Sequence, residues 1–235
     1  MQTKNLISDK KGIIFCDLEG VLTELKSTWE KLNIELGMSE KEDYDLYNKF
    51  ISGSLDYPGW ANEIYSKWKK YSEFKLTKKF FQDFFEQNLL IRKGAISFIE
   101  KCKKNFIFVV ISGSPDMNCR LAKEKLNFDR YYSLNKLIFD SNRKLIGIFG
   151  DKNGFNKDKI MTKIIEEYNF KLDQSIAIGD SENDITMLNK AKLGILIGEN
   201  LKFPRMLNKL KTNIIKLKKL DFEKLIKIIN KKFDI

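Results

Sequence analysis

The sequence predicts an α/β protein whose doubly wound sheet of parallel strands is interrupted by a helical insertion. Short apolar runs ending in polar residues recur along the chain, and amphipathic helical stretches separate them, which is the pattern of such a sheet. Residues 25 to 90 contain no strand-like run, and this predicts the insertion.

The first run, Gly12 to Cys16 (GIIFC), leads into Asp17 as a buried parallel strand would. Helical spacing follows at Trp29, Leu32 and Leu36, over about 40 to 51, at Ile64 and Trp68, and over 77 to 87. We read 25–90 as a helical cap, and 1–24 with 91–235 as the core domain. Ala95 to Lys103 reads as helix, FIFVVIS (106 to 112) as strand, and Met117 to Leu126 as helix. Between Tyr131 and Phe149, two apolar stretches flank Ser141-Asn142-Arg143, the signal of a small β-hairpin flap. Beyond it, helix is expected over Lys159 to Tyr168, Asp184 to Lys190 and Phe222 to Ile229. Strands are expected at SIAIGD (175 to 180), GILIG (194 to 198) and NIIKL (213 to 217). Polar residues gather where these strands end, so the site is expected at that edge.

Composition narrows the chemistry. The 235 residues, 43% hydrophobic, suffice for one large core or a core with a smaller appended domain. Histidine is absent, which removes Ser-His-Asp and Cys-His pairs and almost all zinc hydrolases. Cys16, Cys102 and Cys119 are far apart, lack CxxC spacing, and have no Arg six positions on, so disulfide frameworks, thiolate metal sites and the Cys-x5-Arg phosphate loop are excluded. The polar N-terminus and the lack of a membrane-length apolar run read as a soluble, cytoplasmic protein with no membrane partner. Net charge is +11, and residues 201 to 235 carry eleven basic residues against three acidic ones. Only five of the 43 basic residues are Arg, the usual reader of base edges, so the charge reads as a solvated helical face and not as a nucleic-acid site.

Three clusters carry the chemistry. Asp17-Leu18-Glu19-Gly20 leaves the first strand with acids at i and i+2, able to offer one carboxylate to a metal and substrate and the other to a moving proton. Ser112-Gly113-Ser114 ends a second strand with a hydroxyl and free backbone N–H groups before a helix, suited to an anion or, more blandly, to a helix cap. Gly179-Asp180-Ser181-Glu182-Asn183-Asp184 sets two carboxylates four residues apart around a turn, where they repel unless a hard cation such as magnesium lies between them. Lys157, at the start of a helix, can bring an ammonium to the same edge.

Taken in order, these clusters resemble the haloacid dehalogenase superfamily and, within it, the phosphoserine-phosphatase-like group. The pattern Asp-x-Asp, strand-terminal Ser/Thr, Lys, Gly-Asp-x-x-x-Asp is matched by Asp17, Ser112, Lys157 and Gly179 to Asp184. The resemblance implies a Rossmann-like core and a Mg2+-dependent hydrolase of small phosphomonoesters working through an aspartyl phosphate. It makes Asp17 the nucleophile and Glu19 the acid and base. Asp17, the Glu19 carbonyl and Asp180 would hold Mg2+, with Asp184 on its waters. Ser112, Gly113, Lys157 and Asn183 would hold the phosphate. Glu19 stands where most members have Asp, which moves the acid by about 1 Å.

The Asp-Leu-Glu-Gly-Val-Leu segment is similar to that of a relative with homoserine phosphotransferase activity, so transfer to an alcohol such as homoserine is an alternative. A nucleic-acid-binding protein on an inactive core and a phospho-Asp17 switch are further alternatives. Phosphoserine-specific members use a cap arginine, yet residues 24 to 90 hold none, and Arg92 lies at the return to the core. Trp29, Tyr57, Trp60, Tyr65 and Trp68 read mainly as cap core, with one or two lining the pocket.

Overall fold

Ile13, Ile14, Phe15 and Cys16 are all fully buried, which a strand achieves only when both faces of its sheet are covered. In the computed structural model, which describes residues 9–152, 154, 156–198, 210–211 and 214–235, this strand, β1 (Gly12–Cys16), is central to a sheet of seven strands among the described residues. The others are β2 (Phe106–Pro115), β3 (Arg130–Phe139), β4 (Leu145–Gly150), β5 (Ser175–Gly179), β6 (Leu193–Ile197) and β7 (Ile215–Leu217). Their order is β4-β3-β2-β1-β5-β6-β7. All neighbours pair in parallel except β3 and β4. β2 lies on one side of β1 and β5 on the other, so the loops leaving these three strands meet at one edge of the sheet.

Alternation along the strands builds a core on each face. Ile13, Phe15, Ile107, Val109 and Ile111 pack in one cluster with α7 (Lys157–Glu167) and α8 (Ile185–Lys190). That cluster continues into α1 (Thr28–Glu35), α2 (Glu40–Ile51), α3 (Tyr57–Ser72) and α4 (Lys78–Asn88). Ile14, Cys16, Phe106, Phe108 and Val110 face the other way, toward α5 (Ala95–Lys103), α6 (Asp116–Leu126) and the C-terminal helix Phe222–Phe233. Strands β1 and β5 and helix α5 lie where the sequence puts them. The strand expected at 213 to 217 is β7, with residue 213 outside the described set.

The expected hairpin is continuous with the sheet. β3 pairs along β2, and β4 returns antiparallel as the edge after a turn with Arg143 at φ +63°. That edge is partly covered: Leu145 N–H donates to the Leu76 carbonyl at 2.9 Å and Lys78 N–H to the Arg143 carbonyl at 2.8 Å. Such cover blunts an edge that would otherwise invite pairing with another chain.

Helices α1 to α4 begin on Ser27, Ser39, Asp56 and Thr77, whose side chains each accept the backbone N–H three residues on. The chain enters and leaves this layer side by side. Glu24 N–H donates to the Leu90 carbonyl at 2.9 Å and Arg92 N–H to the Leu22 carbonyl at 3.0 Å. Inside it, Trp29 meets Trp60 edge-on at 5.1 Å and stacks on Trp68 at 5.8 Å. No helix among the described residues is long and apolar enough to cross a membrane.

One polar thread runs through this apolar layer: the Trp68 indole N–H donates to buried Asn33 Oδ1 at 2.8 Å. Trp68→Phe keeps an aromatic ring but orphans that acceptor, and is expected to cost about 1–3 kcal/mol in urea denaturation. Asn33 also donates to Asp43 Oδ1 at 2.6 Å, so replacing Asn33 by Leu in the same chain should not recover the loss.

Candidate active site

Most of the expected site residues stand at or just beyond a strand's end, and Lys157 opens a helix. β1 continues into Asp17, whose N–H still donates to the Ile178 carbonyl of β5 at 2.9 Å. Its Oδ1 accepts the Leu18 N–H at 2.8 Å, which fixes the carboxylate against its own turn. Gly20 then takes φ +73°, and a Cβ there would stand 1.9 Å from Asp180 Oδ2. Glycine is therefore required twice, by conformation and by the close approach of the β5 loop.

Beyond β5, Asp184 turns back, and its Oδ2 accepts from Asp180 N–H (3.0 Å), Ser181 N–H (3.1 Å) and the Ser181 hydroxyl (3.1 Å). From α7, the Lys157 Nζ lies 2.7 Å from Asp184 Oδ1 and 3.2 Å from Asp17 Oδ1. Lys157 and Asp184 are 1% and 0% exposed, so water does not screen them and the ion pairs must satisfy each other. The third expected segment adjoins: Ser112 is buried and its Oγ accepts the Ser114 N–H at 3.1 Å. Asn183 Oδ1 is buried with no hydrogen-bond partner in the structure.

The electrostatics are those of too much negative charge in one place. Burial pushes Asp17 up to about 7, with Asp184 adding to the effect and Lys157 opposing it. Burial likewise pushes Asp180 up to about 8, reinforced by Asp184 and Asp17. For Lys157, burial disfavours the ammonium, but Asp17 and Asp184 outweigh it and hold the group above its ordinary value. Asp17, Asp180 and Asp184 each offer a carboxylate oxygen within 4.8 Å of the others. Three carboxylates facing one ammonium are short of positive charge, and an all-oxygen donor set fits a hard divalent cation.

Glu19, the expected acid and base, lies against the start of α1. One carboxylate oxygen, Oε2, accepts the Thr28 N–H at the first turn of α1, at 3.1 Å, while Oε1 is buried without a partner. Burial raises its pKa, and the Thr28 and Ser114 hydroxyls nearby pull the other way.

Asn135, which the sequence did not single out, joins residues that it did. The Gly113 carbonyl accepts from the Trp29 indole N–H (2.8 Å) and from Asn135 Nδ2 (2.6 Å), and Asn135 Nδ2 also donates to the Tyr57 hydroxyl at 2.6 Å. Trp29 and Tyr57 are thus the two aromatics that reach the Ser112-Gly113 loop, while Trp68 is fully buried among the helices. Arg92 is engaged by the first loop: its guanidinium donates to the Thr23 and Gly20 carbonyls at 3.0 and 3.2 Å. Glu24 and Glu30 are exposed.

This chain belongs to the haloacid dehalogenase-like hydrolase family, whose sequence model matches residues 11–192. Among individual relatives, it is 27% identical over 188 residues to the phosphoserine phosphatase of Methanocaldococcus jannaschii, covering 79% of this chain and 85% of that protein. Its fold is similar to that of a substrate-bound phosphoserine phosphatase, with a TM-score of 0.74 at 24% identity over 93% of this chain and 98% of the other. It is also similar to a haloacid dehalogenase family hydrolase from Salmonella enterica serovar Typhi, with a TM-score of 0.73 at 20% identity over 92% and 71% of the two chains.

The packing of Gly20 on Asp180 gives a direct test of the acidic triad. Gly20→Ala is expected to lower stability by about 1 kcal/mol or more through its positive φ, and to displace Asp180 and weaken divalent-cation binding. Calorimetric titration with Mg2+ beside a thermal melt separates the two effects. Unchanged affinity in the variant would mean that Asp180 is not a ligand.

Proposed function

We propose that this chain is a Mg2+-dependent phosphomonoester hydrolase that works on a small phosphorylated metabolite through an aspartyl phosphate on Asp17. The observation that carries the reading is the cluster of buried Asp17, Lys157 and Asp184 with half-buried Asp180 beside the Ser112-Gly113 loop. Phosphoryl transfer asks mainly for positioning and for neutralisation of charge on the phosphoryl oxygens, and this cluster supplies both.

In this reading the Asp17 carboxylate attacks phosphorus in line, forming the Asp17 oxygen–phosphorus bond as the bond to the leaving oxygen breaks. Lys157, the Ser112 hydroxyl and the Gly113 N–H take up charge on the phosphoryl oxygens, and Asn183 orients the phosphate. Glu19, protonated at the start, gives its proton to the leaving oxygen. It then takes one from the water that attacks phosphorus, so inorganic phosphate leaves and Asp17 and Glu19 return to their first states. Asp17, the Glu19 carbonyl and Asp180, with Asp184 beside them, would hold Mg2+, which when bound would supply the positive charge that Lys157 alone cannot.

Residues 25–90 act as a cap on a core made of 1–24 and 91–235. The support is that Trp29 and Tyr57 sit against the phosphate loop, with Asp17 and Ser112 only 7% and 1% exposed. Substrate then enters by movement about the paired crossings at Leu22–Glu24 and Leu90–Arg92. Phosphoserine is the first candidate substrate, on the strength of the Methanocaldococcus relative.

Phosphate release from p-nitrophenyl phosphate and from a metabolite panel that includes phosphoserine, with and without Mg2+, tests the proposal. Turnover should require Mg2+ and fall by about 10³-fold or more in Asp17→Asn, as loss of a nucleophile does. A folded wild type that binds Mg2+ yet releases no phosphate from any phosphomonoester would overturn it.

A further inference from the structure

At the end of β2 the ladder to β3 slips. Ser112 stands opposite Ser133 and Pro115 opposite Asn135, so Gly113 and Ser114 together face Leu134 alone. Two residues against one is a β-bulge, which turns backbone groups away from the neighbouring strand and re-aims them. Side chains take up what the ladder releases. The Gly113 carbonyl accepts from the Trp29 indole N–H at 2.8 Å and from Asn135 Nδ2 at 2.6 Å. The Ser133 hydroxyl meets the Ser114 carbonyl at 2.7 Å, and Ser114 Oγ accepts from Asn118 Nδ2 of α6 at 2.8 Å.

The orientation of the Asn135 amide follows from its neighbours. Nδ2 has two hydrogens, and the second goes to the Tyr57 hydroxyl at 2.6 Å. Turned over, the amide would set Oδ1 against the Gly113 carbonyl oxygen, two acceptors in contact around a residue that is 1% exposed. Both lone pairs of that carbonyl are therefore filled by donors from two other elements, α1 and β3. What they hold is a plane. The Gly113 C=O and the Ser114 N–H belong to one rigid trans peptide and point in opposite directions. That N–H donates to Ser112 Oγ at 3.1 Å. A hydroxyl oxygen that accepts there keeps its own single proton for another acceptor.

We infer that Asn135 and Trp29 are positioning residues for the phosphoryl group: by fixing the Gly113–Ser114 peptide, they leave the Ser112 hydroxyl proton aimed at the phosphoryl oxygens. This rests on the reading of Ser112 as a phosphate ligand of the proposed phosphatase. Neither side chain touches the substrate in this role.

The test measures kcat/KM of the purified chain with Mg2+ on p-nitrophenyl phosphate and on an alkyl phosphomonoester that the wild type hydrolyses. The variants are Asn135→Leu, Ser112→Ala and the two combined, each with a thermal melt. Ser112→Ala should lose about 10²-fold, as removal of one preorganised donor does, and Asn135→Leu about 10-fold or more. With no hydroxyl left to aim, adding Asn135→Leu to Ser112→Ala should cost less than about 2-fold. A residue that only supports the fold would multiply its loss in either background. The hydroxyl meets the phosphoryl group and not the leaving group, so both esters should suffer alike.

Multiplied losses in the double variant, a loss confined to one ester, or either single variant as fast as the wild type would overturn the inference. Where Asn135→Leu does not fold, Trp29→Phe removes the other donor, keeps an aromatic ring beside Trp60 and Trp68, and is held to the same outcomes. An inactive wild type removes this inference together with the proposed function. An active wild type whose double variant multiplies the losses removes the inference alone.

Discussion

The structure depends on keeping like charges together in a buried place. Asp17, Asp180 and Asp184 come from two loops, and Lys157 from the first turn of a helix. Burying charged groups costs several kcal/mol each unless their geometry is fixed. The sheet fixes it: β1 and β5 are hydrogen-bonded neighbours, so residues more than 160 positions apart in sequence emerge side by side. Gly20 and Gly179 then remove the Cβ atoms that would strike Asp180 and Asp184. Three donors on one oxygen of Asp184 hold it still while the other meets Lys157. A charge arrangement that is poor for stability alone makes sense where a cation and a phosphoryl group are to be received.

The cluster was legible in the sequence because its members stand at the ends of apolar runs, and a buried strand announces both its length and its terminus. β1 is GIIFC in the sequence and Gly12–Cys16 in the fold, and Asp17, Ser112 and Asp180 stand at that kind of edge, whereas Lys157 opens α7 and Asp184 follows in the turn after β5. What surrounds Glu19 was not legible. Asn118 is one polar residue in an amphipathic helix, and Asn135 one polar residue in a strand of mixed burial. Neither spacing nor composition distinguishes them from ordinary surface positions. Their roles exist only through contacts of long sequence separation, such as Asn118 with Thr28 and Asn135 with Tyr57. Arg92 could have been a substrate clamp on charge alone, and only the geometry commits it to two carbonyls.

The basic C-terminal end reads in the fold as it did in the sequence, as far as it is described; Lys202, Arg205 and Lys209 lie outside the described residues. In the helix Phe222–Phe233, Leu225 and Ile229 are buried against the core, while Lys224, Lys227, Lys231 and Lys232 are exposed. That division is what an amphipathic helix laid on a globular core adopts, and the lysines need no ligand to account for it.

Glutamate at position 19 ties the site to the layer of helices above it. α1 begins at Thr28, and its first N–H reaches Glu19 Oε2 while the next residue, Trp29, reaches the Gly113 carbonyl. One helix start thus touches both the residue proposed to move protons and the loop proposed to hold phosphate. The carboxylate of Glu19 extends one methylene further from the first loop than Asp would, in the direction of that helix terminus, where the backbone N–H groups favour an anion. On the proposed opening of the cap, Glu19 loses its Thr28 N–H donor and Gly113 loses Trp29 together. The acid and the phosphate loop are then completed by the same movement that excludes water, which couples the order of the site to its closure.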